Sequence, residues 1–195
     1  MMLGKLRERY QKTIAPLGKT LAKFGFSPNS MTITSLFVAI ASAYTYTLRM
    51  PLKAALLIIL TGVIDMFDGA IARTTGRVTK FGATLDHVID RYAEFFIVIG
   101  ITYAGYTTWI SGFFTLFGML MASFTRAKAE SVGGLKACTI GIAERQEKLL
   151  LIIGGSLLLL VFSQALNYAI IIVGILSHIT VLQRLHYTWV QTGGD

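Results

Sequence analysis

Apolar and polar residues alternate along this chain on two scales. Near the start, Leu3, Leu6, Ile14, Leu17 and Leu21 recur at roughly helical spacing, while Lys5, Arg7, Arg9, Lys12, Lys19 and Lys23 supply the other face. That pattern predicts an amphipathic helix over residues 1–24, lying on an anionic membrane surface. Gly25 to Asn29 interrupts it, because Pro28 lacks an amide hydrogen and pushes Ser27 toward extended backbone. Six apolar runs follow, near residues 31–50, 52–72, 81–103, 107–124, 149–163 and 166–182, most of them close to the ~20 residues a spanning helix needs. The expectation is an all-α membrane protein, an N-terminal amphipathic surface helix followed by six transmembrane helices. The bundle occupies residues 31–190, within a single domain of 195 residues.

Charge orients this arrangement. Arg73, Arg77 and Lys80 fall between the second and third runs, and Arg126, Lys128, Lys136, Arg145 and Lys148 between the fourth and fifth. The other connectors hold only Arg49 and Lys53, or no basic residue. Basic connectors stay on the cytoplasmic side, so both termini and these two loops are expected there, in a multi-pass protein of the cell membrane. A net charge of +8 in a chain that is 54% hydrophobic is thus sorted by a bilayer, and nucleic acid is not an expected partner. Cys138 is the only cysteine, which rules out an intramolecular disulfide and a zinc site with paired thiolates. The first 24 residues show no small-residue cleavage site and read as mature sequence.

Four carboxylates stand where lipid should exclude them: Asp65 and Asp68 on the second run, Asp86 and Asp90 on the third. A carboxylate inside a bilayer costs several kcal/mol unless it faces a cavity or a cation. Helical geometry puts Asp65 and Asp68 on one face and Asp86 and Asp90 on another. At ~1.5 Å per residue, Asp68 and Asp86 lie ~8 Å inside the cytoplasmic boundary, and Asp65 and Asp90 roughly 12–14 Å inside. Two antiparallel helices then converge on an all-oxygen site. Such a site suits Mg2+ or Mn2+ and would suit two ions sharing ligands, while His87 leaves a nitrogen ligand nearby. Gly69 and Gly82 flank the acids and would let a bulky ligand approach.

Read as one string, Asp65, Asp68, Gly69, Ala72, Arg73, Gly82, Asp86 and Asp90 give D-x2-D-G-x2-A-R-x8-G-x3-D-x3-D, which resembles the signature of the CDP-alcohol phosphotransferase family. The resemblance implies transfer of a phosphate-linked lipid from a CDP-activated donor to an alcohol, with release of CMP. It also implies two divalent ions held by Asp65, Asp68, Asp86 and Asp90, with Asp90 the general base. A base is needed because an alcohol is a poor nucleophile at neutral pH. By the same resemblance Pro28, Asn29, Ser30, Met31, Gly69, Ala72, Arg73 and Thr79, with Asp65, Asp68 and Asp86, border the nucleotide, and the protein is a homodimer.

Arg126, Lys128, Arg145 and Arg184 are basic residues the metal site does not require. The stretches R-A-K-A-E at Arg126 to Glu130 and G-I-A-E-R at Gly141 to Arg145 resemble the branch that makes phosphatidylinositol phosphate or its archaeal ether-lipid counterpart. That resemblance implies inositol 1-phosphate as acceptor, its phosphate held by these four side chains. Two departures preserve charge: relatives often reverse the order of arginine and lysine at Arg126 and Lys128, and a proline can stand where Gln146 is here. Glycerol 3-phosphate is the alternative acceptor. A cation or proton-coupled transporter is the alternative class, which would call for broken helices and an internal repeat, and neither is visible.

Overall fold

The computed structural model describes residues 15–193. The described residues form seven α-helices and no strand: α1 Ala15–Lys23, α2 Pro28–Thr47, α3 Pro51–Thr75, α4 Lys80–Tyr103, α5 Trp109–Ser131, α6 Arg145–Leu158 and α7 Ala165–Thr192. Each apolar run of the sequence falls within or largely within one of α2–α7. Of the residues assigned to the amphipathic helix, Leu3, Lys5, Leu6, Arg7, Arg9, Lys12 and Ile14 lie outside the described residues.

The described residues form two compact units, the first of those up to Ser42 with Leu56–Ile97, the second of Ala43–Ala55 with those from Val98 onward. In the first unit, α1 ends where Gly25 takes a left-handed conformation (φ 87°), its amide donating to Ala22 O at 3.1 Å and that of Phe26 to Leu21 O at 3.2 Å. Pro28 then opens α2 at the position where a missing amide hydrogen does no harm. Ser27 and Ser30 cap the helix reciprocally, amide to hydroxyl, at 3.0 and 3.1 Å. As a result α1 and α2 meet at a bend of 99°. Gly18 seats α1 on α3, since a Cβ there would come within 2.9 Å of the Ala70 backbone.

In the second unit α5 and α6 both pack on α7. Thr115 donates to Ile170 O at 2.8 Å between α5 and α7, and Tyr46 and Ser156 share a 2.7 Å hydroxyl contact.

Burial mixes apolar side chains such as Ile58, Ile71, Ile97, Met119, Ile152 and Leu166 with hydroxyl-bearing ones, while many large apolar residues stay exposed. Thr32, Ser35, Ser42, Thr61, Thr115, Ser156, Ser177 and Thr180 are buried, while Phe37, Leu56, Ile110, Phe117, Leu160 and Val161 are exposed. Small and hydroxyl-bearing residues at helix contacts, with large apolar ones facing outward, are what lipid selects. α3, α5 and α7 are each long and apolar enough to cross a membrane, and α1 with α2 counts as a fourth crossing if the bent pair is one span. The protein is therefore a multi-pass membrane protein. α4 does not meet the same test because it carries Asp86, Asp90, Arg91 and Glu94, and α6 has only 14 residues.

Candidate metal and nucleotide site

The acids lie in the first unit, on α3 and α4. Between these helices the chain reverses in a few residues. Gly76 is left-handed (φ 67°) and Arg77 N donates to Ala72 O at 2.9 Å, closing α3. Thr79 Oγ1 then accepts Gly82 N–H at 2.9 Å, capping α4. This tight return runs the end of α3 and the start of α4 side by side in opposite directions, as the motif spacing requires.

The reversal brings carboxylates from both helices to one place. One oxygen each of Asp65, Asp68 and Asp86 lie within 4.8 Å of one another, and so do ligand atoms of Asp86, His87 and Asp90. Asp86 belongs to both groups, as expected of a site with shared ligands. Asp68 and Asp90 are buried, Asp65 and Asp86 half-buried, and His87 exposed. An all-carboxylate trio at this spacing fits a hard divalent ion, so the donor set matches Mg2+ or Mn2+. His87 is the residue that the acid pattern alone does not include in the ligand set.

Thr32 is an addition that sequence reasoning missed. From α2 its hydroxyl donates to Asp68 Oδ2 at 2.6 Å. Such a bond fixes one carboxylate oxygen and leaves the other directed elsewhere. Asp90 is steadied from its own helix: Arg91 Nη2 is 3.9 Å from Asp90 Oδ2, and Arg91 Nη1 is 3.0 Å from Glu94 Oε2.

The residues expected at the nucleotide gather around the same acids in part. The Arg73 guanidinium folds back over Gly69, where a Cβ would meet Nη1 at 2.9 Å. At Gly82 a Cβ would lie 3.0 Å from Thr79 Oγ1 and 3.4 Å from Asn29 Oδ1, so Asn29, Thr79 and Gly82 form one edge. Pro28 and Ser30 shape the start of α2, Met31 is buried beneath it, and Ala72 is half-buried on α3. The hydroxyl of Ser30 also donates to Ser27 O at 2.8 Å, so its role is local capping.

The four basic residues belong to the second unit. Arg184 is buried; Nε donates to Ile140 O at 2.8 Å and Nη1 to Ala122 O, which ties the 132–144 loop to α5 and α7. Ile142 N donates to Gln183 Oε1 at 2.9 Å beside it. Arg126 pairs with Glu130 at 3.0 Å, and the same Glu130 oxygen accepts Cys138 N–H at 3.0 Å. Lys128 is exposed with Nζ 5.6 Å from the Phe124 ring centre, and Arg145 opens α6. The loop is thus braced by Glu130, Gln183 and Arg184, a role that no motif announces.

The profile of the CDP-alcohol phosphatidyltransferase family matches residues 26–181. Archaetidylinositol phosphate synthase of Pyrococcus horikoshii is 37% identical over 185 residues, which covers 95% of each chain. The crystal structure of Mycobacterium tuberculosis phosphatidylinositol phosphate synthase with CDP-DAG bound superposes with a TM-score of 0.82 at 26% identity, covering 91% of this chain and 94% of that one. The same enzyme in complex with manganese and citrate gives 0.81 at 28% identity, covering 90% and 88%.

Proposed function

This chain belongs to the CDP-alcohol phosphatidyltransferase family, and from that premise we propose that it transfers the phosphate-linked lipid of a CDP-activated donor to a hydroxyl of inositol 1-phosphate, releasing CMP. The observation that carries this reading is the convergence of Asp65, Asp68 and Asp86 within 4.8 Å.

Asp65, Asp68, Asp86 and Asp90 would hold two divalent ions, Mg2+ or Mn2+. When bound, these offset the negative charge of the donor diphosphate and of the departing CMP. The protein's own groups do the rest. Asn29, Gly69, Arg73 and Thr79 border the nucleotide, with Arg73 able to pair with phosphate oxygens in a fork. The Asp90 carboxylate takes the proton of the acceptor hydroxyl. The acceptor oxygen bonds to the lipid-bearing phosphorus, the bond from that phosphorus to the bridging oxygen breaks, and CMP leaves with its electrons. Manganese in the mycobacterial relative and the inositol phosphate chemistry named for both relatives support this assignment.

Arg126, Lys128, Arg145 and Arg184 are assigned to the acceptor phosphate. Lys128 and Arg145 reach it directly, and Arg184 holds the loop that precedes Arg145. We further assign α2–α7 as six spans within one domain, with α1 on the membrane surface, both termini and the basic connectors cytoplasmic, and two copies forming a homodimer. Small residues along α4 and α5 would permit close packing of two copies. Native mass spectrometry would read the dimer, and impermeant labelling of single cysteines in the connectors would read the orientation.

The test is CMP release by purified protein with a CDP-activated lipid and Mg2+, offered inositol 1-phosphate, inositol, glycerol 3-phosphate or serine. Turnover with inositol 1-phosphate alone is expected. Turnover with glycerol 3-phosphate instead would overturn the acceptor and keep the reaction, and ion flux in vesicles without CMP release would overturn both.

A further inference from the structure

Arg49 stands in the second unit, in a backbone conformation that arginine rarely adopts. Its φ is 59°, and it is the only non-glycine residue with positive φ among the described residues. The position closes α2: Arg49 N donates to Tyr46 O at 2.9 Å and Met50 N to Thr45 O at 3.2 Å. α4 ends in the same hydrogen-bond pattern, Gly105 N to Thr102 O at 2.9 Å and Tyr106 N to Ile101 O at 3.1 Å, with glycine at φ 72° where α2 has arginine. A left-handed residue after a helix is ordinarily glycine because a Cβ is strained there. At α2 the chain accepts that strain and keeps a guanidinium.

The guanidinium lies 5.2 Å from the Tyr106 ring centre, at the edge of a cavity of about 620 Å³. Arg49 is the only charged residue in its lining. Thr107, Thr108, Ser163, Gln164 and Asn167 supply polar groups beside the apolar Pro51 and Leu159. Thr107 donates to Asn167 Oδ1 at 2.7 Å, and Asn167 Nδ2 donates to Gln164 Oε1 at 3.3 Å, so these side chains are already ordered. Amide ends of α3, α5 and α7 and carbonyl ends of α2, α4 and α6 reach the same rim, so the helix dipoles largely offset one another and Arg49 sets the sign. One cation beside several hydroxyl and amide groups, in a space larger than a bare phosphate fills, matches a phosphate joined to a polyol.

We propose that this cavity binds the phosphate of a polyol-phosphate ligand, with Arg49 on the phosphate oxygens and the hydroxyl and amide groups on the polyol. The source is a phospholipid headgroup or a soluble polyol phosphate. The site does not depend on the transfer reaction, since neither the acids nor the basic loop contributes to it.

The experiment compares thermal unfolding of wild type, Arg49→Gly and Lys53→Gln in detergent with EDTA, so that metal-dependent binding is silent. The probes are short-chain phosphatidylglycerol, glycerol phosphate and, as the neutral control, short-chain phosphatidylcholine. Arg49→Gly suits its backbone and is expected to fold with an unfolding temperature at or above that of wild type. Wild type and Lys53→Gln should gain about 2–4 °C with a saturating phosphate-bearing probe, and Arg49→Gly should gain none. A gain with phosphatidylglycerol alone assigns a lipid headgroup, and a gain with glycerol phosphate as well assigns the soluble source. The proposal is overturned if Arg49→Gly gains as much as wild type, if Lys53→Gln loses the gain equally, or if phosphatidylcholine produces the same gain.

Discussion

Thr32 on α2 donates its hydroxyl to Asp68 Oδ2 on α3 at 2.6 Å, so a carboxylate of the acid cluster is aimed by a helix that carries no acid of its own. Removing this bond should loosen the site without unmaking it. Thr32→Val is expected to raise the Mn2+ concentration needed for half-maximal CMP release by roughly 10- to 100-fold, the usual effect of losing an outer partner of a metal ligand. Thr32→Ser keeps the hydroxyl and should restore most of the affinity. A metal titration of both variants checks this.

Asp90→Asn keeps the size of the side chain and removes the proposed base. CMP release should fall by about 100-fold or more, since general base catalysis contributes that much, while CDP-lipid still binds. Binding is read by isothermal titration with a non-transferable donor analogue. Loss of donor binding along with turnover would make Asp90 chiefly a metal ligand.

Gly69→Ala adds a Cβ that would lie 2.9 Å from Arg73 Nη1. The arginine is the far end of a flexible chain and can swing away, so the protein should fold normally. The phosphate contact proposed for it would be displaced, and the KM for CDP-lipid should rise about 10-fold, or about 1.4 kcal/mol. Steady-state kinetics beside a thermal melt separate the two effects.

Arg184 and Lys128 should respond differently. Arg184→Ala removes a buried cation that donates to Ile140 O and Ala122 O, and should cost about 3 kcal/mol of stability, seen as a clear drop in unfolding temperature. Lys128 is exposed, so Lys128→Ala should leave the melt unchanged and raise the KM for the phosphorylated acceptor.

The acid cluster was legible in the sequence because a charge inside an apolar run has no bland explanation and a helix has a fixed period. Asp65, Asp68 and Asp86 meet as that period requires, with Asp90 one turn beyond Asp86. Thr32 was not legible: like other helical threonines it lies within reach of its own preceding turn, Pro28 O at 3.2 Å, and nothing periodic marks that it also reaches Asp68 on another helix. The end of α6 was hidden for a similar reason. Residues 149–163 read as one apolar run, yet α6 stops at Leu158 and gives way to turns in which Leu160 N donates to Leu157 O and Phe162 N to Leu158 O. Composition records how apolar a segment is and carries no mark of where an apolar helix breaks. α7 shows the converse, running to Thr192 past polar Gln183 and Arg184, because those side chains are satisfied by loop backbone. The strain at Arg49 was equally silent, since left-handed backbone is announced by glycine and not by arginine.

The most direct test of the central claim is a joint titration of metal-stripped protein with Mn2+, following bound manganese by electron paramagnetic resonance and CMP release from the same samples. Bound metal and activity should rise together in wild type, and both should be lost in Asp68→Asn and Asp86→Asn. CMP release at the wild-type rate by stripped protein, or by either variant without bound manganese, would contradict the account.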